Sequence, residues 1–339
     1  MSIVTSPFVT IILPFHNAER TLKRSVHSIL TQDYTNFELL LINNNSDDKS
    51  TNSISEYLKD KRTKMINESK KGVVSAHRAG VNQAQGIYHI RMDADDIALP
   101  DRVSKQVNFL EKNHHYEACG SLVNFSSSLD YHEGLENYVS WSNSLLDSSS
   151  IYLNRFIEMP LINPSMCIRA SYVKKYGTYV QSEFPEDYDY WLSLMNKGYK
   201  IGKVPEPLIT WHDHVHRLTR KDNRYNQEAF FKCKANYLSQ DLLKRNIHEV
   251  LVWGAGKRAR QYAKYLIDFN LKVKGYVDIS SSKIGQYYDG IKVHAYSEID
   301  LLRKTFVLSY IGKYEIRKKI AIYLNSIGLA PGKNYYLCA

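Results

Sequence analysis

The sequence predicts an α/β protein, with a large domain on a mostly parallel sheet and a second, smaller α/β domain behind it. Two observations predict it. Apolar runs of strand length alternate with helical patterns from residue 8 onward, and a fresh strand-to-helix alternation begins at EVLVWGAGK, residues 249–257. The length agrees, since 339 residues exceed the usual size of one hydrophobic core.

FVTIILPF (8–15) is a continuous apolar run closed near its end by a proline, and the apolar positions Leu22, Val26, Ile29 and Leu30 behind it have helical spacing. FELLLIN ends a second run at Asn43, and YHIRM (88–92) leads into an acidic cluster, with helical stretches between. Strands that alternate with helices imply parallel pairing with both sheet faces covered. A polar stretch follows at 130–150, then further helical patterns up to HDHVHRLTRKDNRYNQ (212–227). A helix over about 228–246 connects to the small domain, whose strands are EVLVW, KVKGYVD, TFVLSY and YYLC. The expected domains are therefore 1–230, a helical connector at 231–246, and 247–339.

Composition excludes several classes. Cys119, Cys167, Cys233 and Cys338 are dispersed without a C-x-x-C pair, which argues against a zinc knuckle or a disulfide framework and fits a reducing cytosol. The opening MSIVTSPFVT lacks the regions of a leader peptide, and the apolar runs are strand-sized, so no membrane span is expected. Charge is uneven: residues 231–339 hold 19 Lys and Arg against 8 Asp and Glu, whereas 1–230 is balanced to within one charge. A basic module beside a neutral one either presents a solvated face or meets an anionic partner such as a membrane surface.

RMDADD places Asp93, Asp95 and Asp96 at the carboxyl end of an expected strand, where open α/β sheets bind ligands. Carboxylates two residues apart on an extended segment point the same way, so Asp93 and Asp95 can share a divalent ion and a sugar nucleotide. By itself D-x-D also serves turns and helix caps. Pro14-Phe15-His16-Asn17 with Glu19, and Asn43-Asn44-Asn45-Ser46-Asp47, end the first two strands with short polar side chains suited to a base and ribose, or to ordinary turn chemistry. Glu186 and Asp187 open an amphipathic helix, where the dipole stabilises an ionised carboxylate fit for a general base or a plain N-cap.

Together these segments resemble family 2 glycosyltransferases of the GT-A fold over residues 8–230: VTIILPFHNAE, INNNSDD, GVVSAHRAG, RMDADDIALPDRVSKQ, NPSMCIR, PEDYDYWLSLMNKGY and VPEPLITW occur in the family's order. MDADDIALPDR is similar to enzymes that build bacterial surface polysaccharides. The resemblance implies that Pro14, Phe15, Asn17 and Glu19 line the nucleotide pocket, with Asn44 where a carboxylate commonly meets the base. It puts Asp93 near ribose and sugar, Asp95 and His214 on Mg²⁺ or Mn²⁺, and Asp187 as catalytic base. Arg78 is counted with the nucleotide set, although the family usually has Arg-Asn where His77-Arg78 stands. Asn in place of Asp at 43 or 44 weakens reading of guanine, which offers two donors, and favours UDP- or dTDP-sugars. The Q-x-x-R-W motif of processive relatives is absent, which implies one sugar per encounter.

The expected chemistry is inverting, metal-dependent transfer from a nucleotide diphosphate sugar to a glycan or lipid-linked acceptor in cell-envelope polysaccharide synthesis. The segment 211–224 is expected to close over the nucleotide. The expected location is the cytoplasm, in peripheral contact with anionic membrane at the inner face through the basic C-terminal domain; nucleic acid is not an expected partner, and no oligomeric state is implied. Gly254-Ala255-Gly256, Ala259 and Asp278 form a reduced Rossmann-like fingerprint. Two rival readings remain: a catalytically silent sugar-nucleotide binder, suggested by the asparagines, and an NAD-linked sugar-modifying enzyme acting through the C-terminal domain.

Overall fold

The first apolar runs are parallel strands: β1 (Val9–Phe15), β2 (Phe37–Asn43), β3 (Thr63–Asn67) and β4 (Tyr88–Arg91). With β5 (Ile97–Ala98), β6 (Ala118–Ser127), β7 (Cys167–Arg169) and β8 (Ile201–Asp213) they make one eight-stranded sheet in the order β3-β2-β1-β4-β7-β6-β8-β5. The computed structural model describes residues 8–130, 133–220, 222–302 and 305–339. The opening seven residues, where no leader pattern is expected, and Lys221 within the expected lid lie outside the described residues. The chain divides into two compact units, the first made of 1–151, 161–182 and 199–221.

Period-two alternation explains how both faces of this sheet are covered. Ile11, Leu13, Leu39, Leu41 and Ile90 pack with Leu22, Val26 and Ile29 of the helix Leu22–Leu30. Their neighbours Ile12, Leu40 and Ile42 pack with Ala76 of the helix Val73–Gln83. Gly86 is required by close approach, since a Cβ there would run into the backbone nitrogen of Thr10. The parallel pairing of β6 with β8 shifts register at Ser121, Leu122 and Val123, opposite the Pro205–Pro207 stretch of β8. Prolines lack the donor a regular ladder needs, so the irregularity sits where they do.

The polar stretch 130–150 differs from a plain linker, because it contains the helix Glu133–Asn143. Val139 is buried in the main core, and Leu135 and Tyr138 pack against it. The few apolar residues are spaced to make one buried stripe, which is enough when the core lies beside it.

The second unit comprises 152–160, 183–198 and 222–339. Its sheet contains β9 (Glu249–Trp253), β10 (Lys272–Asp278), β11 (Tyr287–Tyr288), β12 (Ile291–Ala295), β13 (Phe306–Ser309) and β14 (Tyr335–Leu337) in the order β11-β12-β10-β9-β13-β14. All pairings are parallel except the β11–β12 hairpin. Leu251, Trp253, Val277 and Val307 meet Ile320 and Leu324 of the helix Tyr314–Ser326. The helix expected at 228–246 is Gln227–Lys244, opened by Asn226, whose side chain accepts from Ala229 N–H at 2.7 Å. The helix Glu186–Asn196 packs beside it: Asn196 Nδ2 donates to Tyr237 O at 2.7 Å and Tyr237 O–H to Asp189 Oδ1 at 2.6 Å. No helix among the described residues is long and apolar enough to cross a membrane. The four cysteines are buried and free.

Candidate active site

In the first unit β1 lies between β2 and β4, so the turns after Phe15, Asn43 and Arg91 leave the sheet at one edge, at its topological switch point. Asp93, Asp95 and Asp96 follow β4, each presenting a carboxylate oxygen within 4.8 Å of the others. Arg91, the last residue of β4, donates from Nη2 at 2.7 Å and from Nε at 2.8 Å to Asp93 Oδ1. The end of β8 carries His214 to the same cluster, with Nε2 2.8 Å from Asp95 Oδ2. His216 N–H donates to His214 Nδ1 at 3.2 Å, which leaves Nε2 to hold the proton of the neutral ring.

These carboxylates differ in ionisation. Burial pushes Asp95 up, but the His214 hydrogen bond and the nearby Arg217 outweigh it and leave Asp95 below its ordinary range. Asp96 is held well above that range by burial and by repulsion from Asp95 and Asp93. Its Oδ1 accepts from His212 N–H at 2.9 Å, while buried Oδ2 has no hydrogen-bond partner among the described residues. An orphaned buried oxygen beside two further carboxylates and an imidazole is a donor set that suits a hard divalent cation.

The loop is held from behind by a buried cation. Arg102 is fully buried, donates from Nη2 to Arg91 O at 2.8 Å and to Pro164 O at 2.6 Å, and its guanidinium is pulled down to about 10 by desolvation. Arg24 Nη2 reaches Asp95 O at 2.8 Å, and Ser25 Oγ reaches Asp96 O at 2.6 Å. The parts of this site that sequence reasoning left without roles are Asp96, Arg91 and Arg102. Asp96 was visible as the third carboxylate of RMDADD, whereas nothing in the spacing says that Arg102, six residues on, lies beneath the loop.

The other expected residues fall as follows. Phe15 is buried in the core, and its carbonyl accepts from Asn44 N–H at 2.9 Å, while Pro14 precedes it in the same strand. Asn17, at φ 51°, exchanges hydrogen bonds with Asp47: Nδ2 to Oδ1 at 2.7 Å, and Asp47 N–H to Asn17 Oδ1 at 3.0 Å. Glu19 N–H donates to Asp48 Oδ2 at 3.0 Å. These contacts tie the turn after β1 to the turn after β2. Asn44 is buried and turned to residues 68–72: Nδ2 donates to Glu68 O at 3.1 Å and Lys70 O at 2.8 Å, and Oδ1 accepts from Gly72 N–H at 2.7 Å. Asn43 and Asn45 brace the same segment through Asn67 Oδ1 at 3.1 Å and Ser69 O at 2.5 Å. Arg78 is exposed on the helix Val73–Gln83.

Asp187 lies in the second unit, in the first turn of the helix Glu186–Asn196, and its Oδ1 accepts from Tyr188 N–H at 2.7 Å. Beside it, buried Glu186 accepts from Tyr225 O–H at 2.6 Å. In the same unit, Gly254 of the glycine turn has φ 113°, and Asp278 accepts from Ala255 N–H at 2.9 Å and Lys283 Nζ at 3.0 Å.

The family model "Glycosyl transferase family 2" matches residues 10–177, and "C2185-like, N-terminal" matches 246–332. An uncharacterized glycosyltransferase of Haemophilus influenzae is 31% identical over 248 residues, 71% of this chain and 76% of its own length. The Escherichia coli UDP-Glc:alpha-D-GlcNAc-diphosphoundecaprenol beta-1,3-glucosyltransferase WfgD is 29% identical over 55% of this chain and 69% of its own. In structure, S. aureus TarS 1-349, solved in complex with UDP-GlcNAc, superposes with TM-score 0.54 at 14% identity, over 78% of this chain and 71% of that one, and thus shares the GT-A fold.

Proposed function

Because the chain belongs to glycosyl transferase family 2 and is a glycosyltransferase, we propose that it moves one sugar per encounter from a nucleotide diphosphate donor to a glycan or lipid-linked acceptor, with inversion at the anomeric carbon. The observation that carries the reading is the convergence of Asp93, Asp95, Asp96 and His214 at the carboxyl edge of the sheet. Asp95 and His214 are the proposed holders of Mg²⁺ or Mn²⁺, His214 through Nε2 once its ring proton shifts to Nδ1 and the His216 hydrogen bond is given up, with Asp96 oriented behind them. When bound, such an ion neutralises charge on the departing diphosphate.

The chain's own groups do the rest. Asp93, fixed by Arg91, is proposed to receive ribose and sugar hydroxyls. Asp187, at a helix start that favours the anion, takes the acceptor proton. The end of β1, with Pro14 and Phe15, and the turn after it, with Asn17 and Glu19, form the nucleotide floor, with exposed Arg78 beside the phosphates. Asn44 acts through residues 68–72, which it pins as the wall facing the base. An amide already bonded to Gly72 offers no anion to the two donors of guanine, which supports a uridine or thymidine donor, as does the UDP-Glc named for WfgD. We assign transfer to residues 1–230 and a supporting, Rossmann-like role to 247–339. WfgD's diphosphoundecaprenol acceptor supports a lipid-linked acceptor and envelope polysaccharide synthesis.

The test is nucleotide release from a panel of nucleotide sugars, with and without Mg²⁺, Mn²⁺ and chelator. Metal-dependent release from UDP- or dTDP-sugars supports the reading. Release unaffected by chelator removes the metal, and release from GDP-sugars alone removes the base assignment.

A further inference from the structure

We propose that the outward face of the helix Tyr314–Ser326 is a docking surface for an anionic lipid bilayer. This helix turns Ile320 and Leu324 into the core of the second unit. The opposite side presents Tyr314, Lys318 and Ile322, at i, i+4 and i+8, with Lys319 beside them. Tyr314 is 58% exposed and Ile322 59%, and with Ile316 they make three of the twelve large hydrophobic side chains that the described residues leave exposed, all in one 13-residue helix. That clustering is what sets this helix apart from the others.

Charge selects the partner. Lys313, Arg317, Lys318 and Lys319 stand against Glu315 alone over the helix's first two turns, inside a stretch whose cations exceed its anions by 11. Arg317 is partly committed, since its Nη1 donates to Ala339 O at 2.6 Å. Lys318 and Lys319 are exposed, and among the described residues neither is ion-paired. A polyanion such as nucleic acid would satisfy the lysines yet leave Ile322 and Tyr314 against phosphate. A bilayer surface satisfies both groups, because anionic headgroups lie directly above apolar depth, where an aromatic ring and an aliphatic side chain insert beside snorkelling lysines. Bilayer association is scored without donor or acceptor, so its failure and the failure of the transfer reading are separate results.

The experiment is co-sedimentation of the full chain with vesicles of phosphatidylcholine alone or mixed with phosphatidylglycerol, over a salt series. Binding is expected only to the mixed vesicles and is expected to weaken as salt screens the surface charge. Lys318→Gln with Lys319→Gln lowers the partition coefficient by about thirtyfold, and Ile322→Asn lowers it separately. Lys257→Gln with Arg258→Gln, the same charge change on another helix, leaves it near wild type; a melting curve confirms that each variant is folded. Equal binding to neutral vesicles overturns the proposal, as does loss in the control pair equal to that in the helix pair, or no loss in the helix pair. Binding to duplex DNA of equal strength, lost in the Lys318/Lys319 pair but kept in Ile322→Asn, makes the face a phosphate-binding surface instead.

Discussion

His214 Nε2 lies 2.8 Å from Asp95 Oδ2, joining the turn after β8 to the turn after β4 although the two residues are 119 apart in the chain. Both residues lie outside the strands, in the turns after β4 and β8. Asp95→Asn is therefore expected to abolish metal-dependent donor turnover while changing the melting temperature little, because a cation held by few carboxylates loses too much fixed charge when one is made neutral. Nucleotide release and thermal melting measure the two halves, and undiminished release in the variant removes Asp95 from the metal.

The base assignment makes a different prediction. Asp187→Asn is expected to lower kcat by on the order of 10²- to 10⁴-fold while donor affinity stays near wild type, since a general base acts on the acceptor proton and not on the nucleotide. Single-turnover rates and nucleotide titration separate the outcomes. A variant that mainly loses donor affinity makes Asp187 a binding residue.

At Asn44 the prediction concerns stability. Its Nδ2 faces two carbonyl oxygens, Glu68 O and Lys70 O, so Asn44→Asp sets an anion against both and strands them without a donor. A loss of about 1 to 3 kcal/mol is expected, read by urea unfolding, together with a raised donor KM as the 68–72 wall loosens. An Asn44→Asp protein as stable as wild type contradicts the bracing role.

Lys203 gives a pH dependence. It is buried on β8, donates to Ser142 O at 2.5 Å and Oγ at 2.9 Å, and is pushed down to about 7 by desolvation. Between pH 7 and the ordinary lysine range near 10.5, the unfolded chain holds a proton that the folded chain has shed. Unfolding then takes up a proton, so this residue's contribution makes stability fall as pH drops through that window and level off below about 7. The stability of Lys203→Met relative to wild type is expected to rise as pH falls from 10 to 7, and a constant difference across calorimetric scans rules the effect out.

The strands that frame the site are legible because they are short continuous apolar runs set between helical patterns: FVTIILPF, FELLLIN and YHIRM became β1, β2 and β4, and RMDADD fell at the sheet's carboxyl edge. The helix Glu133–Asn143 was not, since its apolar stripe is thin and is completed only by the core it meets. Asn43, Asn44 and Asn45 show what side-chain type alone conveys: short amides at strand ends suit a nucleotide and a loop brace equally, and the partners at 67–72 are known only once β3 is placed beside β2. Likewise Arg102 reads as an ordinary helix-start cation until the fold buries it against Arg91 O.

The helix that carries Asp187 belongs to the same compact unit as the chain's last strand. Tyr188 O–H donates to Arg155 O at 2.5 Å, Arg155 reaches Tyr336 O–H at 3.3 Å, and Tyr336 in turn donates to Asp241 at 3.0 Å. Lys234, on the neighbouring helix, holds Ile157 O and Cys338 O, each at 3.1 Å. In genetic terms the tail is therefore not dispensable cargo. A nonsense lesion at or before codon 336 removes Tyr336 from this relay, although a linear map would score it as remote from residue 187.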